Sequence, residues 1–282
     1  MAIEVTCLVD NAVRRGSPLW GEHGVAFLIE TETGRVLFDT GQSGAVLLHN
    51  MGMLGLDPRA ISALAISHAH YDHTGGLPAL LEEVRPGLPL YAHSDLFRDR
   101  FSLRQGKLAS IGMPLRRDAL TSRAMLHLGE RPQQVRPGIW TTGEIAPRAE
   151  LEGRSAHHLV EGSGGLAPDP YRDDMSLVVE VPAGLVLLCG CCHAGLLNTL
   201  AHVRHTFDRP VVVIAGGTHL VSADAEHLQR VGEALLEIRS VQRLYLNHCS
   251  GEEAFHAMWL ALGAGVVRPC PAGTRLDLEA LG

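Results

Sequence analysis

The run Ile61-Ser62-Ala63-Leu64-Ala65-Ile66-Ser67, followed by His68-Ala69-His70-Tyr71-Asp72-His73-Thr74-Gly75-Gly76, decides how this chain is read. The first seven residues form a short apolar run bounded by polar ones, the pattern of a buried strand. Residues two apart at a strand end point the same way, so His68 and His70 can bind one ion together. The chain then turns, and Asp72 and His73 can reach a second ion. Gly75 and Gly76 leave room for a close backbone approach before a helix over 77–84, which stops ahead of Pro86. Four candidate ligands in six residues exceed what one ion takes from a single loop. They suit two ions and need partners from elsewhere in the chain.

Three later segments offer those partners. Cys189-Gly190-Cys191-Cys192-His193 follows an apolar run at 185–189. Gly216-Gly217-Thr218-His219 follows one at 211–215, and Asn247-His248-Cys249-Ser250-Gly251 follows one at 242–246. All the His-bearing loops thus sit at the C-terminal ends of strands, where α/β folds gather their sites.

The rest of the chain alternates in the same manner. Strands are expected at 3–9, 24–30, 35–39, 88–92, 138–142, 176–181 and 265–268, and helices at 43–54, 194–206, 222–239 and 251–262. This alternation gives an α/β protein read as a single domain over 1–282. The stretch 94–136 holds nine basic residues against four acids in a chain of net charge −7, and reads as a helical or irregular Arg-rich insertion, a cap on the main domain. Guanidiniums suit phosphate and carboxylate, so Arg116 and Arg117 are candidate contacts for an anionic substrate. The Gly-, Pro- and His-rich stretch 150–173 reads as a loop.

Composition excludes several classes. Hydrophobic residues make up 46% of 282, enough for a packed core and too many for a disordered chain. No apolar run approaches the roughly 18 residues that span a bilayer, so no membrane partner is expected. The acidic balance argues against general nucleic-acid binding. No basic-then-apolar leader opens the sequence, and three of the six cysteines crowd into residues 189–192 without a regular framework. Both features point to reduced thiols and a cytoplasmic location. The 16 His are the chemically telling excess, since neutral imidazole is the commonest metal ligand.

HAHYDHTGG resembles the HxHxDH signature of the metallo-β-lactamase superfamily, and Phe38-Asp39-Thr40-Gly41 resembles the strand end that precedes it there. Thr142-Gly143-Glu144-Ile145, Asp173-Asp174, GCCHAGLLNTL, GGTHL and NHCSG are similar to one branch, that of the dihydropterin–ribofuranosylaminobenzene-phosphate synthases of the methanopterin pathway and their uncharacterised relatives. The resemblance implies an αββα four-layer sandwich with a binuclear metal centre at one edge of its two sheets. It implies His68, His70 and His193 on the first ion and Asp72, His73 and His248 on the second, with His157 and His158 competing with His193. Family members often bridge both ions with an Asp where this chain has Cys191, leaving either a thiolate ligand or a water alone as the bridge. Thiolate favours zinc, whereas a nitrogen–carboxylate shell also accepts iron or manganese.

Several residues around these ligands have expected supporting roles. Asp39 would anchor the metal loop, Asp174 would orient a ligand, His23 would reach the rim, and His219 would line the wall or transfer a proton. The expected activity is hydrolysis of an anionic, phosphorylated small molecule by water activated between two divalent ions, with Asp72 positioning the nucleophile. The alternative is a Lewis-acid synthase or transferase that joins a dihydropterin diphosphate to an aminobenzene ribofuranosyl phosphate. A di-iron redox enzyme, a non-catalytic metal-binding protein and a homo-oligomeric state complete the readings considered.

Overall fold

A computed structural model describes residues 3–162, 164–279 and 281. Two mixed sheets stack face to face. The first runs, in spatial order, Glu4–Val9, Ala26–Thr31, Gly34–Phe38, Ile61–Ala65, Leu88–Ala92 and Ala124–Leu128. The second runs Val267–Pro269, Arg243–Leu246, Val211–Gly216, Gly184–Cys189, Ser176–Val181, Ile139–Thr141 and Gln134–Arg136.

The layering follows from strand periodicity. Successive side chains point to opposite faces, so Val36 and Phe38 face the second sheet while Leu37 faces the helices. In the second sheet Val186 and Leu188 turn inward, and Leu185 and Leu187 turn outward. Helices Gly44–Met53 and Leu77–Glu83 cover the outer face of the first sheet through Leu47, Met51, Leu77, Leu80 and Leu81. Helices Leu196–Phe207, Ala225–Ile238 and Glu252–Leu262 cover the second through Leu200, Val203, Val231, Leu235 and Met258. The result is the four-layer αββα arrangement. Among the described residues no helix is long and apolar enough to cross a membrane.

Two expectations are corrected. The stretch 94–136 is not one helical or irregular insertion, because it is divided among three sheets. Ala124–Leu128 pairs in parallel with Leu88–Ala92 in the first sheet, and Gln134–Arg136 closes an edge of the second. Arg100–Arg104 and Lys107–Ser110 form a hairpin in a third sheet, and Arg117–Thr121 is a single short helix. Residues 150–173 are not a bare loop either: His158–Gly162 and Gly165–Pro168 form a second hairpin that pairs with Arg100–Arg104. Both hairpins are mostly exposed and carry few apolar residues in alternation, so periodicity alone gave no strand signal there.

A buried ion cluster ties this third sheet to the body. Arg100 is 0% exposed, with its guanidinium 2.6 Å from Asp173, 3.1 Å from Asp169 and 3.3 Å from Asp95. Asp173 Oδ2 in turn accepts the backbone N–H of Ala69 at 2.9 Å, inside the His-rich turn. Removing one partner of such a cluster leaves buried carboxylates uncompensated. Arg100→Ala is therefore expected to cost about 3–5 kcal/mol in chemical denaturation. A loss below about 1 kcal/mol, as for a surface pair, would contradict this role.

Candidate metal centre

The four loops meet at one end of the sandwich because their strands are neighbours. Gly184–Cys189, Val211–Gly216 and Arg243–Leu246 lie side by side and parallel, so their C-terminal ends deliver Cys191, His193, His219 and His248 to the same edge. Ile61–Ala65 delivers the His-rich turn from the opposing sheet. Backbone strain concentrates here, with positive φ at Asp39, Cys192, His219 and His248. A Cβ on Gly75 would overlap the Gln42 carbonyl, so the turn packs on the 39–42 loop only as glycine.

Ring geometry is set by what lies behind each imidazole. Asp39 is fully buried; its Oδ1 accepts the backbone N–H of Ser67, and its Oδ2 accepts the Ser67 hydroxyl and His73 Nδ1, each at 2.7 Å. The Ser67 Oγ, its proton given to Asp39, takes a hydrogen bond from His68 Nδ1 at 2.9 Å. His193 Nδ1 donates to the Gly153 carbonyl at 3.0 Å. His248 Nδ1 donates at 3.2 Å to Asn11 Oδ1, which also accepts the Gly24 N–H, so that atom is oxygen. In all four rings the proton is held at Nδ1 and Nε2 is directed into the site, the arrangement that outer partners impose on metal-binding histidines.

The facing atoms are close. His68 Nε2 lies 3.0 Å from His70 Nδ1, and these two with His193 form one group that could hold an ion. Asp72 Oδ2 lies 3.3 Å from His248 Nε2, 3.6 Å from His73 Nε2 and 3.3 Å from His23 Nε2. Cys191 Sγ stands 3.3 Å from His73 Nε2 and groups with His68 and His73. Bonds of about 2.0 Å to nitrogen and about 2.3 Å to sulfur place ligands of one tetrahedral ion roughly 3.3–3.8 Å apart, so these spacings suit shared cations. His193 Nε2 is buried without a hydrogen-bond partner, which a polar atom tolerates poorly unless a ligand satisfies it.

Electrostatics agree with this. Burial, reinforced by neighbouring histidines, lowers His68, His70 and His193 well below 6.5, so they stay neutral and able to donate lone pairs. Burial opposes charge on His73 too, but Asp72 and Asp39 outweigh it and raise that group to about 9. Burial likewise opposes the Asp72 carboxylate, yet His73 and His248 hold it far below the usual range. The Asp72 side of the site therefore attracts positive charge.

The other candidates fall unevenly. Asp174 Oδ2 accepts the Ala194 N–H at 2.8 Å, bracing the loop that carries His193, and burial raises its carboxyl to about 7. His23 sits at the rim, its side chain 53% exposed. His219 packs its ring 4.3 Å from that of His193; burial and the nearby His158 and His248 push it down to about 4, so at pH 7 it is neutral. His158 bonds the Tyr171 hydroxyl through Nδ1 at 2.9 Å, whereas the ring of His193 joins His68 and His70.

Arg116 and Arg117 do not line the cleft. Both are exposed at the start of a short helix whose single buried residue is Leu120, and the Arg117 guanidinium covers the Phe97 ring at 5.3 Å. The cleft, of about 1050 Å³, is lined instead by Arg104 and Arg154 from the third-sheet hairpin and the loop before His158. Ser67, Asn11 and Asp10, which holds the His248 N–H at 2.8 Å, were not singled out from sequence because single polar residues at strand ends carry no periodic signal.

Two stacked sheets, outer helices and His-rich loops gathered at one edge are the features of a known enzyme superfamily. The metallo-beta-lactamase superfamily model matches residues 19–203, and the chain belongs to that superfamily. It is 29% identical over 262 residues to a 7,8-dihydropterin-6-methyl-4-(beta-D-ribofuranosyl)-aminobenzene-5'-phosphate synthase of Methanocaldococcus jannaschii, covering 89% of each chain. It is 23% identical to an exodeoxyribonuclease, WalJ, of Streptococcus pneumoniae over 82% of this chain and 80% of that one. Among solved structures it is similar to Tm1679, a metal-dependent hydrolase of the beta-lactamase superfamily, with a TM-score of 0.83, 26% identity and coverage of 98% and 99%.

Two expectations follow. Asp39→Asn weakens the hold on both His73 and Ser67, so metal affinity measured by chelator competition should fall about 10–100-fold; unchanged affinity would remove Asp39 from the support shell. His158 and His219 have folded values near 4 against 6.5 unfolded. The unfolded state therefore binds more protons between those values, and stability falls as pH drops from about 6.5 to about 4. The double variant His158→Asn with His219→Asn should make that slope shallower in denaturation curves recorded across the window, the remainder coming from His68, His70 and His193, which burial also lowers.

Proposed function

We propose that the protein is a hydrolase of an anionic, phosphorylated small molecule, dependent on two divalent ions, with zinc as the favoured metal. The observation that carries this reading is the convergence of Nε2 atoms from His68, His73, His193 and His248 with His70 and Asp72 on the floor of a cleft rimmed by an unpaired cation. That cation is Arg104, exposed and, among the described residues, without a carboxylate partner. Bound ions would lower the pKa of water and polarise a phosphoryl oxygen.

The chain's own residues supply the rest. Arg104 meets the substrate's anionic group from the hairpin above. Asp72, ionised and fixed by His73 and His248, orients the attacking group. Neutral His219 stands in the wall beside His193. The likeness to a metal-dependent hydrolase along nearly the whole chain supports the hydrolytic reading.

A second reading is favoured by the likeness to the archaeal synthase. There the same centre would act as a Lewis acid on a diphosphate leaving group while a dihydropterin joins an aminobenzene ribofuranosyl phosphate. Joined product from that pair of substrates, with no turnover of phosphoesters, would select it.

The purified protein should hydrolyse bis(p-nitrophenyl) phosphate, stop on chelation and recover on addition of zinc. Asp72→Ala should lower kcat about a hundredfold or more. Arg104→Ala should raise KM for anionic substrates about tenfold with kcat kept, the mark of lost uniform binding, and Arg116→Ala with Arg117→Ala should change neither. Chelator-insensitive turnover would refute the proposal.

A further inference from the structure

One group at the centre has no part in the ligand sets above. Cys249 follows His248 and is buried, and its Sγ lies 3.4 Å from Cys191 Sγ. Together with His248 these two sulfurs form a compact group of ligand atoms, all within 4.8 Å of one another. Cys191 also belongs to the group with His68 and His73, so its sulfur stands between the two halves of the centre, and Cys249 lies on the His248 side.

The surroundings of Cys249 are tightly packed and bring one donor to its sulfur. Its sulfur receives the backbone N–H of His219 at 3.3 Å. A Cβ on Gly217 would stand 2.6 Å from that sulfur and would overlap the Gly190 carbonyl. Glycine at that position is what lets the loops after the two strands close until the thiols meet. A free thiol at such a position would otherwise be a small apolar filler, but a filler does not require two facing sulfurs beside three imidazoles.

We propose that Cys191 and Cys249 are the sulfur donors on the second ion's side of the site, Cys191 between its two halves and Cys249 beside His248, and that this pair makes the position select a thiophilic d10 ion. Each thiol gives up its proton to solvent as its sulfur bonds the ion, so charge and atoms balance. Soft sulfur donors favour zinc or cadmium and disfavour manganese and magnesium. This rests on the two-ion reading of the site and adds to it Cys249 as a donor and the reason the chain prefers zinc.

The test uses the full-length protein loaded with cobalt(II) and, separately, cadmium(II), with metal content from elemental analysis. Wild-type protein should show sulfur-to-metal charge-transfer absorption in the near ultraviolet. Cys249→Ser should keep its fold by circular dichroism and its metal content yet lose about half of that absorption, and its preference for zinc over manganese should drop about tenfold or more. Cys191→Ser should lose the band more fully, through the shared sulfur. A Cys249→Ser spectrum identical to wild type would overturn the assignment of Cys249. Two ions bound with no charge-transfer band at all would overturn the whole sulfur proposal and leave the two-ion reading standing. Failure of the wild-type protein to take up any metal would overturn both.

Discussion

The centre depends on one buried carboxylate. Asp39 carries no solvent exposure, and its two oxygens take three hydrogen bonds, from the Ser67 backbone, the Ser67 hydroxyl and His73. Through Ser67 it also fixes the tautomer of His68. One acidic side chain on one strand end thereby sets the direction of two rings on the neighbouring strand end. It is held there by a positive φ that an Asp adopts more readily than a β-branched residue. The adjoining Thr40 donates to the His73 carbonyl at 2.8 Å and locks the same turn from the backbone side.

Around that core the protein opposes two electrostatic tendencies. Burial keeps His68, His70 and His193 uncharged, while Asp72 and Asp39 pull positive charge toward His73. A cluster of neutral nitrogen donors beside ionised carboxylate is a poor structural device by itself, since it leaves buried polar atoms such as His193 Nε2 without partners. Metal ions, which members of the superfamily usually bind, would satisfy such atoms. The third sheet then adds what the sandwich lacks: Arg100 rivets it to the body through Asp169 and Asp173, and Arg104, four residues along, reaches over the cleft.

Much of this was legible in the residues. The His-rich turn after an apolar run, and three further His loops each following a strand, pointed to the edge of the fold where these side chains gather, because strand direction and alternation are local properties. Alternation gave the α/β class, and the αββα layering was what the resemblance implied. The third sheet was not legible, since its hairpins are largely exposed and their pairing joins residues more than fifty positions apart. That Arg116 and Arg117 stand outside the cleft was hidden for the same reason: charge density along a sequence says where guanidiniums are numerous, not which of them the fold brings to a cleft.

Sequence by itself therefore determined the donor types, their placement at strand ends and the class of fold, each governed by spacing of two or of three to four residues. Tertiary structure alone decided which nitrogen of each ring faces the site, which arginines line the cleft, and that Cys249 meets Cys191. Those are contacts between segments distant in the chain, and such contacts are set by sheet order and by the buried hydrogen bonds that close the loops, neither of which leaves a periodic trace in the residues.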